Sequence, residues 1–394
     1  MTPALRPLSR FVVAAEESGD ALGGALASAL RARCGDALKL AGVGGGAMAA
    51  AGIASLFPVD ALSIVGIGEI LRRLPTILRR IRETADAVIA AKPDALVIID
   101  SPDFTHRVAR RVRRHAPEIP IVDYVSPSVW AWRPGRAPVM RAYVDHILAI
   151  LPFEPAALAK LGGPPCSYVG HPLIERLSDL RPNADEAQRR RTDPPLVLLL
   201  PGSRSSEIRR LVGIFGEAIA RVADSAGPMD LVLPTLPRLV PAIREASAGW
   251  AMQPRIVVDA AGKWAAFRNA RTALAASGTV TLELALAGVP TVAAYRVPVI
   301  EEMIFRLNRS HSTLSSAILA NLVLGENVVP EFLQRDCTPE RLAEALVPLL
   351  SDTPQRQRQV AAFARLDGIM GAGGEPPSVK AAQIVLDLAQ RGRG

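Results

Sequence analysis

Cysteine is scarce in this chain of 394 residues. Its three cysteines, Cys34, Cys166 and Cys337, stand apart from one another and in no spacing that is typical of a metal site. An odd number of isolated thiols excludes a disulfide framework and supplies no zinc motif. We therefore expect reduced, incidental thiols, and we predict neither a metal site nor a cofactor.

Long apolar runs are also missing. No run reaches the roughly 18 residues that a membrane-spanning helix needs, and the first ten residues contain charges and two prolines but no apolar signal core. We therefore predict a cytoplasmic protein. Hydrophobic residues still make up 49% of the chain, which is enough for a sizeable core and, at this length, for two domains.

Aromatic residues amount to only 4%, and lysine occurs five times although the net charge is +8. Arginine therefore supplies nearly all of the 46 basic residues. Genomic base composition is the simplest explanation of this bias, yet the resulting field attracts anions whatever its origin. Because the arginines are not interleaved with stacking aromatics, we predict no nucleic-acid partner. An anionic membrane surface or a phosphorylated substrate is favoured instead.

Short apolar runs that are typical of buried strands recur along the chain, with helical patterns between several of them. They cover residues 11–14, 38–43, 95–99, 121–125, 147–151, 167–169, 196–200, 231–233, 256–258, 272–276 and 291–295. Strands that alternate with helices predict βαβ units and mostly parallel sheets. The predicted fold class is therefore α/β, with two doubly wound, Rossmann-like domains.

A charged, proline-containing break at residues 181–195 separates the two halves, and we interpret it as an interdomain linker. The predicted domains span residues 1–180 and 196–377, and a C-terminal helix over residues 378–394 is expected to pack back on the first domain. Such sheets bind ligands beyond the carboxyl ends of their strands. Two of them that face each other would form a cleft for two substrates.

Residues 124–133 read YVSPSVWAWR, which fits neither a helical nor a strand period. The proline and the composition predict a shaped loop after a strand. Indole faces stack on sugar rings and acyl chains, so the loop is predicted to bind an amphipathic ligand through Ser126, Ser128, Trp130 and Trp132. A structural loop that is anchored by its tryptophans is an equally open alternative.

The segment 64–91 combines an apolar face at helical spacing with clustered arginines, and its Pro75 suits a first-turn position. Apolar residues beside arginines indicate a surface that enters an anionic bilayer. The predicted membrane contacts are Ile64, Ile67, Ile70, Leu71, Arg72, Arg73 and Leu74. The alternative is a solvated basic face over a buried stripe.

Two strand-to-helix turns in the second half are typical of phosphate binding: LLLPGSRSSE at 198–207 and ASGTVTLE at 276–283. Backbone N–H groups at a helix start point at anions, and the guanidinium of Arg204 adds a fork of donors. In the second turn Thr279 or Thr281 would cap the helix, and Glu283 would accept two ribose hydroxyls. Purely structural turns are the alternative, but two in one domain favour a nucleotide diphosphate. The predicted contacts are Gly202, Ser203, Arg204, Glu207, Ser277, Gly278, Thr279 and Glu283.

Acidic side chains follow two strands of the first half. Residues 14–20 read AAEESGD, where Ser18 or Asp20 would cap the next helix, but Glu16 has no such structural explanation. Both Ser18 and Asp20 are also candidate substrate contacts, and Glu16 is a candidate catalytic residue.

Asp100 and Asp103 come after the strand at 95–99, where a general base for a hydroxyl would lie. We prefer Asp100 because it directly ends the strand, whereas Asp103 would cap the following helix. His171 would reach the cleft from the hinge, although a lone histidine is more often structural.

With these residues the chain resembles the lipid-A-disaccharide synthases, inverting glycosyltransferases with the glycosyltransferase-B fold, nearly from end to end. YVSPSVWAWR is highly specific to that family. The other matching motifs are EESGD at 16–20, GVGG at 42–45, VGIGEI at 65–70, IDSPDF at 99–104, LPFE at 151–154, YVGH at 168–171, LPGSR at 200–204 and ASGT at 276–279.

The resemblance implies transfer of a diacylglucosamine from UDP-2,3-diacylglucosamine to the 6-hydroxyl of lipid X, a diacylglucosamine 1-phosphate, on the inner face of the inner membrane. Asp100 matches the family's catalytic acidic residue; Arg204, residues 277–279 and Glu283 match its UDP-binding positions; and Asn321 aligns with a functional asparagine. The expected partners are the two substrates, the anionic membrane surface and a second copy of the chain in a homodimer.

The chain departs from the family pattern in three loops. It reads ILAN at 318–321 where the family has SLPN, AEE at 15–17 in place of GEA, and GGAM at 45–48 in place of GPRM. Two rival hypotheses stay open at this point. One is another UDP-N-acetylglucosamine enzyme of the same fold, such as a 2-epimerase or the peptidoglycan transferase; the other is a non-catalytic membrane or nucleic-acid binder.

Overall fold

The computed structural model describes residues 9–59, 67–297 and 316–391. The chain divides into two compact units. Unit 1 comprises the described residues of Met1–Pro172 and Gly373–Gly394, and unit 2 those of Leu173–Ala372. Within the described residues each unit is built on one six-stranded sheet whose strand pairs are parallel.

The sheet of unit 1 has the strand order β2-β1-β3-β4-β5-β6, and that of unit 2 the order β12-β11-β10-β7-β8-β9. The strands are β1 (Ser9–Ala14), β2 (Lys39–Val43), β3 (Ala95–Ile99), β4 (Ile121–Tyr124), β5 (His146–Ala149), β6 (Cys166–Tyr168), β7 (Leu196–Leu200), β8 (Asp230–Pro234), β9 (Arg255–Val257), β10 (Thr272–Ala276), β11 (Thr291–Tyr295) and β12 (Glu331–Leu333).

Helices connect the strands and cover the sheets. They are α1 (Glu17–Cys34), α2 (Gly46–Ala50), α3 (Ile67–Ala91), α4 (Pro102–His115), α5 (Arg136–Met140), α6 (Glu154–Lys160), α7 (Leu177–Leu180), α8 (Ala184–Arg189), α9 (Ser205–Ala226), α10 (Val240–Ser247), α11 (Ala260–Asn269), α12 (Val280–Leu286), α13 (Leu319–Leu324), α14 (Pro339–Leu346), α15 (Pro354–Ala364), α16 (Leu366–Met370) and α17 (Pro377–Arg391).

The α/β prediction is confirmed, and the eleven apolar runs all fall on strands. The reason is visible in β3, which is buried along its whole length because helices cover both faces of its sheet. Leu96 and Ile98 pack in one core with α3 and α4, while Val97 and Ile99 pack in another with α1 and α17. Strand β12 was not predicted, because its three half-buried residues form no apolar run.

The C-terminal helix α17 lies in unit 1. Ala382 and Val385 of this helix are fully buried in the same core as Leu26 and Leu30 of α1. Burial of these four side chains ties the end of the chain to the first domain.

The segment 181–195, predicted to be an interdomain linker, lies inside unit 2 instead. It contains α8, whose first turn is closed by reciprocal hydrogen bonds between Asn183 and Glu186. The side chain of Arg190 then donates to four backbone carbonyls, those of Phe267, Arg268, Ala287 and Gly288, at the ends of α11 and α12. A polar segment can thus be integral to a domain when a guanidinium satisfies the exposed carbonyls of helix ends.

Arg190→Ala is expected to destabilise unit 2 by roughly 3 kcal/mol, because several helix-end carbonyls lose a charged donor at once. In a unit of this size such a loss lowers the melting temperature by about 6–12 °C. Differential scanning calorimetry measures it, with the exposed neighbour Arg191→Ala as the control. Equal melting temperatures for the two variants would contradict a structural role for Arg190.

Candidate functional site

Each sheet has one point at which its strand order reverses. In unit 1 the chain runs outward from β1 to β2 and then returns to β3, beside β1; in unit 2 it runs from β7 to β9 and returns to β10, beside β7. The crevice beyond the carboxyl ends of those neighbouring strands is where doubly wound sheets bind ligands. Residues 15–20 and 100–103 lie at this point in unit 1, and residues 201–204 and 277–279 in unit 2. The two sets contain eleven of the nineteen residues predicted to be catalytic or substrate-binding.

Asp100 follows β3 directly, is half-buried, and lies 3.5 Å from the hydroxyl of Ser18 (Oγ to Oδ2) at the start of α1. The structure therefore brings together two of the predicted residues across β1 and β3. Asp103 lies one residue into α4 and is exposed, and Glu16 is exposed at the start of α1.

The backbone around Asp100 is strained. Asp100, Ser101 and Val125 have φ angles of 52°, 45° and 80°, a left-handed region that residues with a Cβ seldom adopt and that is a true outlier for a β-branched valine. Each such residue costs on the order of 1–3 kcal/mol, and residues of this kind cluster at active sites and ligand clamps. All three lie at the carboxyl ends of β3 and β4, and the strain marks this edge of the sheet as a candidate active site.

Asp20 holds the loop of residues 45–48 in place. It is buried, and its carboxylate accepts hydrogen bonds from the backbone N–H groups of Gly45, Ala47 and Met48, at 2.7–3.0 Å. These bonds hold the GGAM loop and cap α2. The predicted capping of α1 by Ser18 or Asp20 is wrong, because α1 begins at Glu17, ahead of both residues, with Glu16 as its N-cap residue and no side-chain cap.

The YVSPSVWAWR segment forms an irregular loop between β4 and α5, as predicted. Its two tryptophans differ. Trp130 is half-buried, donates its indole N–H to Glu154 at 3.1 Å, and packs edge to face on Phe153 at 4.8 Å. Trp132 is 52% exposed, and the guanidinium of Arg133 stacks on it, 4.4 Å from its ring. Trp130 therefore anchors the loop, and Trp132 is the indole that is free to meet a ligand.

The two serines of this loop also differ: Ser126 is buried and Ser128 is exposed. The hydroxyl of Ser126 donates to the carbonyl of Pro127 at 3.3 Å. His171 is buried, and burial lowers its pKa to about 4. The imidazole is therefore neutral at pH 7, which suits hydrogen bonding rather than charge attraction.

Burial raises the pKa of Glu154 to about 7, although its carboxylate accepts hydrogen bonds from Leu151 N–H and Trp130. Between pH 4.5 and 7 the folded protein therefore binds more protons at this residue than the unfolded chain does, so its contribution to stability falls as the pH rises. We expect the unfolding free energy to lose roughly 3 kcal/mol over this window through Glu154. Urea unfolding at pH 5 and pH 8 measures it. Glu154→Gln should remove this part of the pH dependence, and the exposed Glu118→Gln should retain it.

In unit 2 the first phosphate-type turn is held by Glu207. Its buried carboxylate accepts hydrogen bonds from the backbone N–H groups of Ser203 and Arg204, at 2.9 and 3.1 Å. Gly202 has a φ of 114°, and a Cβ there would lie 2.2 Å from Oε2 of Glu207. Two of the amides that were predicted to bind phosphate are therefore occupied by Glu207. The side chain of Arg204 is 74% exposed and contacts Glu207 at 3.2 Å, so the predicted anion-binding guanidinium of this turn lies at the surface.

The second turn is more open. Apart from its chain neighbours, no described residue would lie within 4 Å of a Cβ on Gly278. Thr279 is the N-cap residue of α12 but makes no side-chain cap, and the hydroxyl of Thr281 donates to the carbonyl of Gly278. Ser277 donates to the carbonyl of Ala317 at 3.2 Å. Glu283 lies one turn further and forms an ion pair with Lys263 of α11 at 2.8 Å. This pair places a cation and a carboxylate at the carboxyl edge of the sheet of unit 2.

Asn321, which the resemblance marks as functional, is a structural clamp in the described residues. It is buried, its amide nitrogen donates to Ser316 Oγ and to the carbonyl of Val329, and its oxygen accepts from the N–H groups of Val328 and Val329. All four bonds hold chain segments beside β12. A ligand would have to displace them to reach the amide, so the structure assigns Asn321 to loop geometry.

The predicted membrane segment is described in part. Ile64 lies outside the described residues, and of Ile67, Ile70, Leu71, Arg72 and Arg73 only the helical backbone is described. The first-turn prediction for Pro75 is wrong, since α3 begins at Ile67 and the proline lies in its interior. Within the described residues, no helix is both long and apolar enough to cross a bilayer.

The apolar stripe of α3 changes environment along the helix. Ile81, Ala85 and Val88 are buried in the core of unit 1, whereas Leu74 and Leu78 are 39% and 44% exposed. The nearby arginines are partly used within the helix, because Arg79 and Arg80 both pair with Glu83 at 2.7 Å. Leu74 and Leu78 are thus surplus to the core.

Comparison with known proteins decides the family. A sequence model described as lipid-A-disaccharide synthetase matches residues 10–370. The lipid-A-disaccharide synthase of Nitrobacter hamburgensis is 60% identical over 385 residues, which cover 98% of this chain and 96% of that protein. The chain belongs to the lipid-A-disaccharide synthase family. The family member of Rhodospirillum centenum is 42% identical over 388 residues, which cover 98% of this chain and 95% of that protein.

Solved structures with the same fold are more distant. The UDP-GlcNAc 2-epimerase of Neisseria meningitidis, solved with UDP-GlcNAc, has a TM-score of 0.60 at 12% identity and covers 98% of this chain and 99% of its own. MurG of Acinetobacter baumannii has a TM-score of 0.55 at 18% identity and covers 98% and 100%. At such identities the likeness shows the fold alone. The resemblance to the lipid-A-disaccharide synthase family is confirmed, and the epimerase and MurG types remain relatives in fold.

Three features of the described residues were not predicted from the sequence: the position of Lys263, the burial of Glu154, and the buried pair of His106 and Asp123. Lys263 gave no signal because its partner Glu283 is 20 residues away. Glu154 was identified only as part of the LPFE motif. Its burial depends on tertiary contacts such as the hydrogen bond from Trp130, 24 residues away in the sequence. The buried pair of His106 and Asp123 gave one readable signal, an aspartate in the middle of an apolar strand.

Proposed function

We propose that this protein is a lipid-A-disaccharide synthase that transfers diacylglucosamine from UDP-2,3-diacylglucosamine to the 6-hydroxyl of lipid X, releasing UDP. Membership in the family, by matches that cover nearly the whole chain, carries the proposal. The positions of the candidate residues support it. Asp100 lies at the switch point of unit 1, and Arg204 with Lys263 and Glu283 lies at the carboxyl edge of unit 2.

Asp100 is the proposed general base. Its carboxylate ends a rigid strand and has a hydroxyl neighbour in Ser18. It would take the proton of the acceptor's 6-hydroxyl as the oxygen attacks the anomeric carbon. The attack comes from the face opposite the departing UDP, so the configuration inverts.

Positive side chains of unit 2 are proposed to stabilise the departing UDP. Arg204 is the exposed cation beside the first turn, and Lys263 lies next to Glu283, the proposed ribose ligand. Preorganised cations stabilise charge that develops on a leaving group. Transfer through these side chains requires no divalent metal, and we propose that the reaction is metal-independent.

UDP release tests the function. The protein, in detergent with EDTA, is given lipid X and UDP-diacylglucosamine together, and each substrate alone as a control. Release with both substrates only, at the same rate with and without EDTA, is the expected result. Release from the UDP sugar alone would identify a hydrolase. No UDP release from a folded protein would favour another acceptor or a non-catalytic binder. Tight, salt-sensitive oligonucleotide binding without UDP affinity would identify the non-catalytic binder.

We further propose that the exposed start of the α3 stripe contacts the anionic membrane surface from which both lipid substrates are drawn, which makes the protein peripheral. The exposed side chains of Leu74 and Leu78 support this. Replacing both with serine is expected to weaken partitioning to anionic vesicles about 10- to 50-fold, since fully burying a leucine side chain contributes about 1.5–3 kcal/mol and each of these two has about two fifths of its surface left to bury. Sedimentation with vesicles measures it. Val360→Ser, at an equally exposed position of unit 2, is the control, and unchanged partitioning of the double variant would refute the contact.

A further inference from the structure

A buried polar cluster lies behind the candidate base. Asp123, in the centre of the sheet on β4, and His106, on α4, are 1% and 6% exposed, and Nε2 of His106 lies 3.0 Å from Oδ2 of Asp123. Nδ1 of the same ring lies 3.1 Å from the hydroxyl of Tyr143, which also accepts from Arg110. Burial raises the pKa of Asp123, and His106 partly offsets this.

This cluster is not fully satisfied. Oδ1 of Asp123 is buried and has no hydrogen-bond partner among the described residues. A carboxylate in a core is costly, and an unpaired oxygen adds to the cost, because water can no longer solvate it. An apolar residue would serve the packing of β4 better. The presence of the pair therefore calls for a reason other than stability.

The neighbours of the pair supply one. Asp100 is held at both of its backbone groups: its N–H donates to the carbonyl of Tyr124 at 3.1 Å, and its carbonyl accepts from the hydroxyl of Thr105 at 2.6 Å. Tyr124 directly follows Asp123, and Thr105 directly precedes His106. The two anchors of Asp100 are thus joined to each other through the His106–Asp123 contact. A closed ring of contacts runs from Asp100 through β4 to α4 and back.

The ring matters because Asp100 and Ser101 both have positive φ angles. A strained backbone persists only where its surroundings over-determine it. If α4 moved relative to β4, the two anchors would separate, and the chain at Asp100 could relax toward an ordinary conformation. The carboxylate at its tip would then move with the backbone.

We propose that the His106–Asp123 pair is a positioning element for Asp100: by fixing the start of α4 to the end of β4, it holds the strained Asp100 backbone in the orientation that the base requires. The inference rests on the proposed role of Asp100. His106 and Asp123 touch no substrate in it and act only through the two anchors.

The experiment compares two buried pairs of the same unit. His106→Leu removes the partner of Asp123, and Arg10→Leu removes the partner of Asp94, a buried pair at the amino ends of β1 and β3 with a 3.3 Å contact. Both variants leave a buried aspartate without that side-chain partner, so both lower the melting temperature. Only His106→Leu is expected to lower kcat, by about 30- to 100-fold with both KM values within twofold, the scale of loss when a distant change misplaces a reacting group.

Two conservative variants complete the set. His106→Gln keeps an N–H donor for Asp123 and should recover kcat to within about fivefold of the parent protein. Tyr143→Phe removes only the hydroxyl that contacts Nδ1 of His106 and leaves the ring in the core, so it should lower kcat about threefold. This variant replaces the leucine variants in the comparison if they fail to fold. A purely structural pair would give normal kcat in every folded variant.

The outcomes separate this inference from the function on which it rests. If the parent protein transfers, Asp100→Asn is inactive and folded His106→Leu matches Arg10→Leu in kcat, the positioning role is refuted and the base role stands. If Asp100→Asn stays active, the base role and the positioning role fall together. Low kcat in His106→Leu with recovery in His106→Gln supports the proposal.

Discussion

Asp100→Asn is expected to lower kcat by about a thousandfold with little change in either KM. The substitution keeps the size of the side chain and its hydrogen bond to Ser101 N–H at 2.8 Å, but it removes the lone pair that would accept the proton of the acceptor hydroxyl. A positioned general base contributes about 10²–10⁴ to the rate. Steady-state UDP release with both substrates varied measures the effect.

Two further carboxylates provide matched controls. Asp103→Asn changes an exposed residue three positions along the chain, and Glu16→Gln one at the start of α1. Each should leave kcat within about fivefold of the parent value. If Asp103→Asn instead lowered kcat a thousandfold and Asp100→Asn did not, Asp103 would be the base. The strained backbone at Asp100 would then need another explanation.

Arg204→Ala is expected to lower kcat/KM by about 30- to 1000-fold, which corresponds to about 2–4 kcal/mol in the barrier, the range for losing one preorganised donor at a developing anion. The side chain is 74% exposed, and its ion pair with Glu207 is the contact that its removal takes from the described part of the fold. We therefore expect an unchanged melting temperature together with the large kinetic loss. UDP release and UDP binding by calorimetry together separate catalysis from affinity.

Arg204→Lys keeps the charge and loses the planar fork of donors, and it should recover only part of the activity, since a diphosphate is bound best by two parallel N–H groups. Arg209→Ala, an exposed arginine on the next turn of α9, controls for the loss of one positive charge. Equal activities for Arg204→Ala and Arg209→Ala would show that only the general field acts, and would refute a specific role for Arg204.

Local patterns were enough to predict eleven of the twelve strands in the described residues. β3 and β7 are five-residue apolar runs because helices cover both faces of their sheets. Burial on both faces is therefore predictable from the residues of each strand alone. The residues at the switch points could be predicted as well, since the end of each apolar run marks where its strand ends. Segment 181–195 was misread as a linker because its polarity looked solvated, whereas Arg190 uses that polarity to bind carbonyls in unit 2.

The individual roles of polar side chains were not predictable in the same way. Asp20, Glu207 and Asn321 have side chains whose atoms bind the protein's own backbone, up to 28 residues away in the case of Asp20. Lys263 and Glu283 meet across 20 residues. The residue type alone does not distinguish a carboxylate that binds a ligand from one that holds a loop of the protein itself.

The sequence by itself determined the fold class, the two doubly wound units, the loop of residues 124–133 and the family, because apolar periodicity and contiguous motifs are local properties. Only the tertiary structure decided which polar groups are left for a substrate. It assigned Trp130 to packing and left Trp132 exposed, and it joined Asp100 to His106 and Asp123 through the end of β4 and the start of α4. The physical reason is that a hydrogen bond depends on where two distant segments meet, whereas burial of a strand depends on the residues of that strand.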